Sequence, residues 1–180
     1  MDKSPPATIR AATPADAAGI AAVHTQSWRE TYTGLIDAAF LERMTNPAAR
    51  ERRAASWVQT IERQLEQVFV AEQIDHLGRG EVVAFASVGP ARDHADYDSE
   101  LMTLYSFRRV QGQGLGKALL QAVAKAAGAG GAKNMALWVL AQNPTRGWYA
   151  AQGAREAGAK TDGDLQEIRM VWDDLAGLVG

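Results

Sequence analysis

Gly112, Gly114 and Gly116 alternate with Gln111, Gln113 and Leu115 in the run QGQGLG, and so bare a backbone brings several N–H groups up to an anion with no Cβ in the way. The run lies between a strand-like segment, ELMTLYSF at 100–107, and a helix-like one, LGKALLQAVAKAA at 115–127. The positive end of that helix faces the same spot, so the chemistry on offer is the cradling of a pyrophosphate. Spacing excludes two nucleotide sites. A dinucleotide fingerprint counted from Gly112 and Gly114 needs a third glycine where the chain has Lys117. A Walker loop ending at Gly116-Lys117 needs glycine at Gln111 and a hydroxyl at Ala118. What remains is Q-x-x-G-x-G between strand and helix; the same residues also read as a glycine-rich turn capping an ordinary helix.

The other chemistry-bearing side chains are sparse. Cysteine is absent, which removes disulfides, thiolate metal sites and cysteine nucleophiles, and no serine has an evident histidine partner. The stretch ARDHADYDS at 91–99 gathers Asp93, Asp96 and Asp98 around His94; it would attract a cationic amine, or be a solvated loop, and predicts no metal. His24 and His76 lack ligand companions and read as packed or exposed. Trp28 and Tyr32, four apart on one helix, are either a core pair or a wall of an acceptor pocket.

The positioning elements follow from period and punctuation. A short strand at 8–11 leads to Thr13-Pro14-Ala15-Asp16, a helix start with a cap, a first-turn proline and an acid facing the dipole. Ala17, Ile20, Ala21, Val23 and Trp28 give the first helix its apolar face, and Thr33-Gly34 breaks it. Helices are predicted at 37–44 and 48–65, the latter with Ala54, Trp57, Val58, Ile61 and Leu65 on one stripe. Strands at 67–72, 81–88 and 100–107 come next, then the helix after the glycine run, a buried strand MALWVL at 135–140, a short helix opened by Asn143-Pro144, and strands at 154–159 and 165–172. This order implies a mixed sheet with helices on both faces.

Composition bounds the rest. The chain has 180 residues, 47% of them hydrophobic, enough for one core, and residues 7–180 are expected to form a single domain behind a disordered tail at 1–6. A net charge of −2, from 19 basic and 21 acidic residues, excludes the basic excess that nucleic-acid or polybasic membrane binding needs. The start MDKSPPAT has no apolar signal core and no apolar run reaches spanning length, so a soluble cytoplasmic protein is expected.

Three separated segments resemble the GCN5-related N-acetyltransferase (GNAT) family. LYSFRRVQGQGLGKALL at 104–120 is similar to its strand, phosphate loop and helix, motif A, with Gln111 at the usual Gln or Arg position. LWVLAQNPTRGWYAAQGAR at 137–155 is similar to motif B, with Asn143, Trp148, Tyr149 and Gly153 at an Asn, an aromatic-Tyr pair and a helix-ending Gly. SWRETYTGLID at 27–37 is similar to an acceptor-side helix and loop. Two departures stand: the common Pro beyond the strand is replaced within FRRV, and the aromatic after the motif B glycine is Ala154.

The resemblance implies a fold and a set of roles. The fold is α/β: a mixed, mostly antiparallel central sheet of about seven strands with helices on both faces. The backbone of Tyr105, Ser106 and Phe107 would pair with a pantetheine arm added like a strand. Gln111, Gly112, Gln113, Gly114, Leu115 and Gly116 would hold the pyrophosphate, and Asn143 the cofactor arm; Lys117 is a further charge partner or a solvent-facing lysine. Arg109 with Arg108 would reach the 3′-phosphate, or be surface charge. Glu100 would be the general base, or a surface carboxylate at a strand end, and Tyr149 the general acid, or a core tyrosine. Trp28 and Tyr32 would bind substrate. The activity implied is acetyl transfer from acetyl-CoA to a primary amine of a small molecule or peptide in a ternary complex, with a homodimer allowed; the alternative is a CoA-binding sensor without turnover.

Overall fold

The computed structural model describes residues 6–179, so the tail expected at 1–6 lies, apart from Pro6, outside the described residues. Seven strands form one sheet: β1 (Ala7–Ala11), β2 (Gln67–Ile74), β3 (Gly80–Pro90), β4 (Ser99–Ser106), β5 (Met135–Leu140), β6 (Arg155–Asp162) and β7 (Leu165–Trp172). Their order is β1-β2-β3-β4-β5-β7-β6, antiparallel throughout except for β4 and β5. Two parallel strands need a crossover, and α4 (Leu115–Ala129) supplies it. The remaining helices are α1 (Ala17–Tyr32), α2 (Ala38–Thr45), α3 (Pro47–Glu62), α5 (Thr145–Ala151) and α6 (Ala176–Val179). None is long and apolar enough to cross a membrane.

Each sheet face has its own core. On one, Leu115, Leu119, Leu120 and Val123 of α4 pack on Ala84, Ala86 and Val88 of β3, Leu101 of β4 and Leu137 and Val139 of β5. Leu119, Leu120 and Val123 are fully buried, a stabilisation of about 1.5–3 kcal/mol each. On the other, Ile20 and Val23 of α1 and Trp57 of α3 pack on Val70 and Phe85, and Tyr105 joins from β4. The alternation of Ala84, Ala86 and Val88 against Phe85 is the period of two that puts neighbours on opposite faces.

Local signals set the element ends. Asp37 and Asn46 cap α2 and α3 by accepting from Phe40 N–H and Ala49 N–H, each at 2.8 Å. The expected helix start at Thr13 is a single 3-10 turn, Pro14–Asp16, ahead of α1. There Asp16 takes the Thr13 N–H at 2.7 Å and both Arg10 guanidinium arms at 2.7 and 2.9 Å, which hold its carboxyl below the usual range. The stripe predicted through Leu65 is corrected: α3 stops at Glu62, Gln64 takes a left-handed φ of 52°, and Leu65 turns into solvent, 58% exposed. The short α6 was not expected from the sequence.

Candidate active site

The sheet opens between its parallel strands. β4 and β5 are paired only at Ser99↔Met135 and Glu100↔Ala136, after which they diverge. The cause lies in the strand itself. Ser87 pairs with Thr103 and Val88 with Leu101, leaving Met102 as an extra residue in β4, and such a bulge bends and twists its strand. Beyond Glu100 the far edge of β4 therefore has no strand beside it, and a cleft of about 940 Å³ runs along it.

Register decides which backbone groups face that cleft, and it corrects part of the expectation for residues 105–107. Phe107 N–H donates to Val83 C=O at 3.0 Å, so it points at β3. By the same alternation Tyr105 points its amide group at β3, while Leu104 and Ser106 present theirs to the gap. The Ser106 carbonyl already accepts from the Ser27 hydroxyl at 3.0 Å, which ties α1 to the strand.

At one end of the cleft lies the glycine turn. Gly112 and Gly114 have φ of 79° and 80°, left-handed values that an L side chain rarely adopts, and a Cβ on either would meet nothing within 4 Å. Gly116 has another reason: a Cβ there would sit 3.2 Å from Cζ2 of Trp148, whose indole packs on the helix start. Gly114 is the N-cap of α4 without a side-chain cap, and Ala118 N–H is bonded back to its carbonyl at 3.1 Å. The first-turn amides of α4 thus precede its regular ladder and open on the cleft wall formed by Gly112, Gly114, Leu115, Gly116 and Lys117. This geometry fits a diphosphate. Gln111 N–H is spent on Arg108 C=O at 3.2 Å, and the Gln113 side chain accepts from Gln73 at 3.3 Å rather than lining the cleft.

The arginines expected at a 3′-phosphate are both engaged. Arg109 donates to Glu81 at 2.7 Å and stacks over Phe107 at 5.0 Å; Arg108 donates to Glu30 from its backbone at 3.0 Å and from its guanidinium at 2.6 Å. Lys117 is exposed on the cleft wall.

Glu100 stands where the strands part. It is buried, lines the cleft, and takes hydrogen bonds from Arg92 through N–H at 3.3 Å, Nε at 3.2 Å and Nη2 at 3.5 Å. A surface carboxylate is therefore the wrong description. Tyr149, on α5, is buried edge-on to Trp148 and Trp172 and lines the same cleft. Burial, then the nearby Tyr105 and Tyr32, pushes its hydroxyl well above the usual tyrosine value, so it stays protonated.

Trp28 and Tyr32 both reach the cleft and stand edge to face, 5.0 Å apart. The Trp28 indole N–H donates to the Tyr105 hydroxyl at 3.2 Å, and the Asn143 amide donates to the Tyr32 hydroxyl at 3.4 Å. Asn143 also accepts from Thr145 N–H at 2.9 Å, which opens α5. Trp138, Leu165, Lys160, Glu167, Ile36 and Phe40 line the same cleft. Lys160 spans Asp93 at 3.2 Å and Glu167 at 3.7 Å and sits 4.2 Å over the Trp138 ring. Among the described residues no three His, Cys, Asp or Glu side chains gather as a metal site.

Sequence reasoning missed Trp138, Glu167, Lys160 and Arg92. Only Trp138 carried a local signal: between Leu137 and Val139, which point at the α4 core, period two sends it to the other face. The acidic loop also reads differently. Asp93 pairs with Lys160, Asp98 accepts from Lys133 N–H at 2.8 Å, and His94 is buried rather than solvated. His24 is packed flat on Tyr105, rings 4.9 Å apart, and His76 is exposed.

A sheet split at its parallel pair, with a bare helix start at the opening, leaves room beside β4 for an extended phosphate-bearing ligand. Residues 25–154 match the Acetyltransferase (GNAT) family. The N-acetyltransferase YuaI of Bacillus subtilis, itself uncharacterized, is 33% identical over 180 residues, covering 95% of either chain. Among solved structures, the PaiA N-acetyltransferase of Thermoplasma acidophilum in complex with coenzyme A superposes with a TM-score of 0.71 at 19% identity, over 92% of this chain and 99% of that one. YncA of Salmonella typhimurium, solved with its cofactor acetyl-CoA, gives 0.67 at 24% identity over 94% of both. The chain belongs to the GNAT family of acetyltransferases, enzymes of acetyl-CoA-dependent acyl transfer.

Proposed function

We propose that this protein is an N-acetyltransferase that moves the acetyl group of acetyl-CoA directly to a primary amine, both substrates being bound at once. The observation that carries the reading is that a buried carboxylate, Glu100, and a buried protonated phenol, Tyr149, line the same cleft as the glycine turn. Acetyl-CoA supplies an activated acyl group as a thioester. The Gly112, Gly114 and Gly116 turn and the first turn of α4 hold the diphosphate through N–H groups, and Leu104 and Ser106 offer the strand edge to the extended arm.

An alkylammonium with an ordinary value near ~10.4 is almost wholly charged at neutral pH and has no lone pair for attack. Glu100 removes that proton, directly or through one water. Tyr149, kept neutral by burial, donates a proton to the departing sulfur. Trp28 and Tyr32 form the acceptor wall, and the lack of cysteine supports direct attack over a cysteine-bound acyl enzyme.

The test is thiol release from acetyl-CoA across a panel of small amines and peptides, with mass spectrometry of the acetylated product. Tyr149→Phe is expected to lower kcat by about a hundredfold or more while CoA affinity stays within about twofold. An unchanged rate removes Tyr149 from the chemistry. CoA binding without turnover for any amine would make the protein a sensor.

A further inference from the structure

His94 lies in the loop 91–98, between Asp93 and residues exposed to water, yet its side chain is completely buried. Its ring stacks on the Trp138 indole, centroids 5.4 Å apart at 24°. Both ring nitrogens lack a hydrogen-bond partner among the described residues. A buried polar atom without a partner is costly, and a loop of this composition would normally leave the imidazole in water where no cost arises.

The ring sits behind the wall of the cleft, and its nearest acid is Glu100, whose Oε1 is 3.7 Å from Nε2, just beyond a hydrogen bond. The opposite flank of that carboxylate is held by Arg92, whose side chain is 69% exposed and open to competition from water. The charged groups facing the imidazole are Glu100 from β4, Arg169 from β7 and the adjacent Asp93. Burial outweighs the pull of Glu100 and holds His94 below the usual histidine value, hence neutral, with one N–H donor and one acceptor.

We propose that His94 is a positioning residue: its Nε2–H donates to Glu100 Oε1 when the acceptor amine occupies the cleft and fixes the carboxylate toward the ammonium it deprotonates. The inference rests on Glu100 being the base. A neutral donor suits this place because a second full cation beside Arg92 would repel the substrate ammonium. Apo contacts of this kind are commonly long and tighten in the ternary complex.

The experiment is kcat/KM for the amine as a function of pH in the wild type, His94→Phe, His94→Gln and Glu100→Gln, with CoA affinity and thermal melting alongside. Phe keeps the stack on Trp138 and removes the donor; the Gln amide restores a donor near the position of Nε2. His94→Phe is expected to lower kcat/KM by about tenfold and to move the acid limb up by about one pH unit, with CoA affinity within about twofold of wild type. His94→Gln should recover most of both. A lower melting temperature with an unmoved pH profile, or a Gln variant as impaired as Phe, overturns the inference. If Glu100→Gln keeps the full rate, the base reading fails and this inference with it; if Glu100→Gln is crippled and His94→Phe is not, only the inference fails. Should the Phe variant not fold, Gln is compared with Asn, whose amide ends one bond short: the Asn acid limb must move and the Gln limb stay, and coincident limbs overturn the inference.

Discussion

Gly114→Ala separates the two demands placed on the glycine turn. With φ of 80°, an alanine at 114 must hold a left-handed conformation, a cost of about 1–2 kcal/mol. Its Cβ meets nothing within 4 Å, so no packing term adds to this. For a chain of this size the melting temperature should fall by about 2–8 °C. Gly114 lines the cleft, and on the proposed reading an added methyl there crowds the diphosphate, so CoA affinity should weaken by about tenfold or more, about 1.4 kcal/mol. Gly116→Ala, in the same turn, is a comparison for stability alone. It adds a Cβ 3.2 Å from Trp148 in an ordinary helical position, where alanine is the better helix former by about 1 kcal/mol, so its stability should stay close to wild type. The assay is calorimetric titration with CoA and with 3′-dephospho-CoA, paired with thermal melts. Equal losses for both ligands in Gly114→Ala locate the effect at the diphosphate. Wild-type CoA affinity in a variant whose melting temperature has dropped as expected would refute the cradle.

Two further outcomes follow from charges whose partners the structure reveals. Burial, and secondarily Arg53, lowers His24 to about 3 from about 6.5, so the folded state resists a proton that the unfolded chain accepts. The stabilisation is complete above pH 6.5 and lost as pH falls toward 3; between pH 6.5 and 5 it amounts to about 2 kcal/mol. Urea unfolding at pH 7 and pH 5 should show that drop in the wild type and a smaller one in His24→Phe, and parallel curves would refute it. Arg109 is already paired with Glu81, whereas Lys117 forms no ion pair among the described residues and lines the cleft. Arg109→Ala should therefore change CoA affinity by less than about twofold and Lys117→Ala by more; calorimetry showing the reverse order would return the 3′-phosphate to Arg109.

The glycine turn was legible because its geometry is local. Three glycines within five residues, strand before and helix after, define a turn whose φ values and free amides depend on no distant partner. Tyr149 and Asn143 come from one short segment too, and the fold places both on the cleft wall. The strands and helices followed from period two and from capping residues such as Asp37 and Asn46, and where the capping signal was weak, as at the end of α3, the boundary and the fate of Leu65 were misjudged.

The acceptor side was decided by tertiary structure. Glu100 as a strand residue was evident, but not that Arg92 and His94 close on it from a loop that reads as solvated, nor that Trp138 provides the surface on which His94 is buried. Which amides of β4 face the gap hangs on the extra residue at Met102, since one inserted residue reverses every later side chain and backbone group; of the expected Tyr105, Ser106 and Phe107 only Ser106 presents its backbone to the gap, joined by Leu104. A glycine turn needs one stretch of backbone, so composition and spacing determine it; the buried carboxylate Glu100 is surrounded by side chains from β4, β5, β7 and a loop, and only the packing of the folded sheet brings those together.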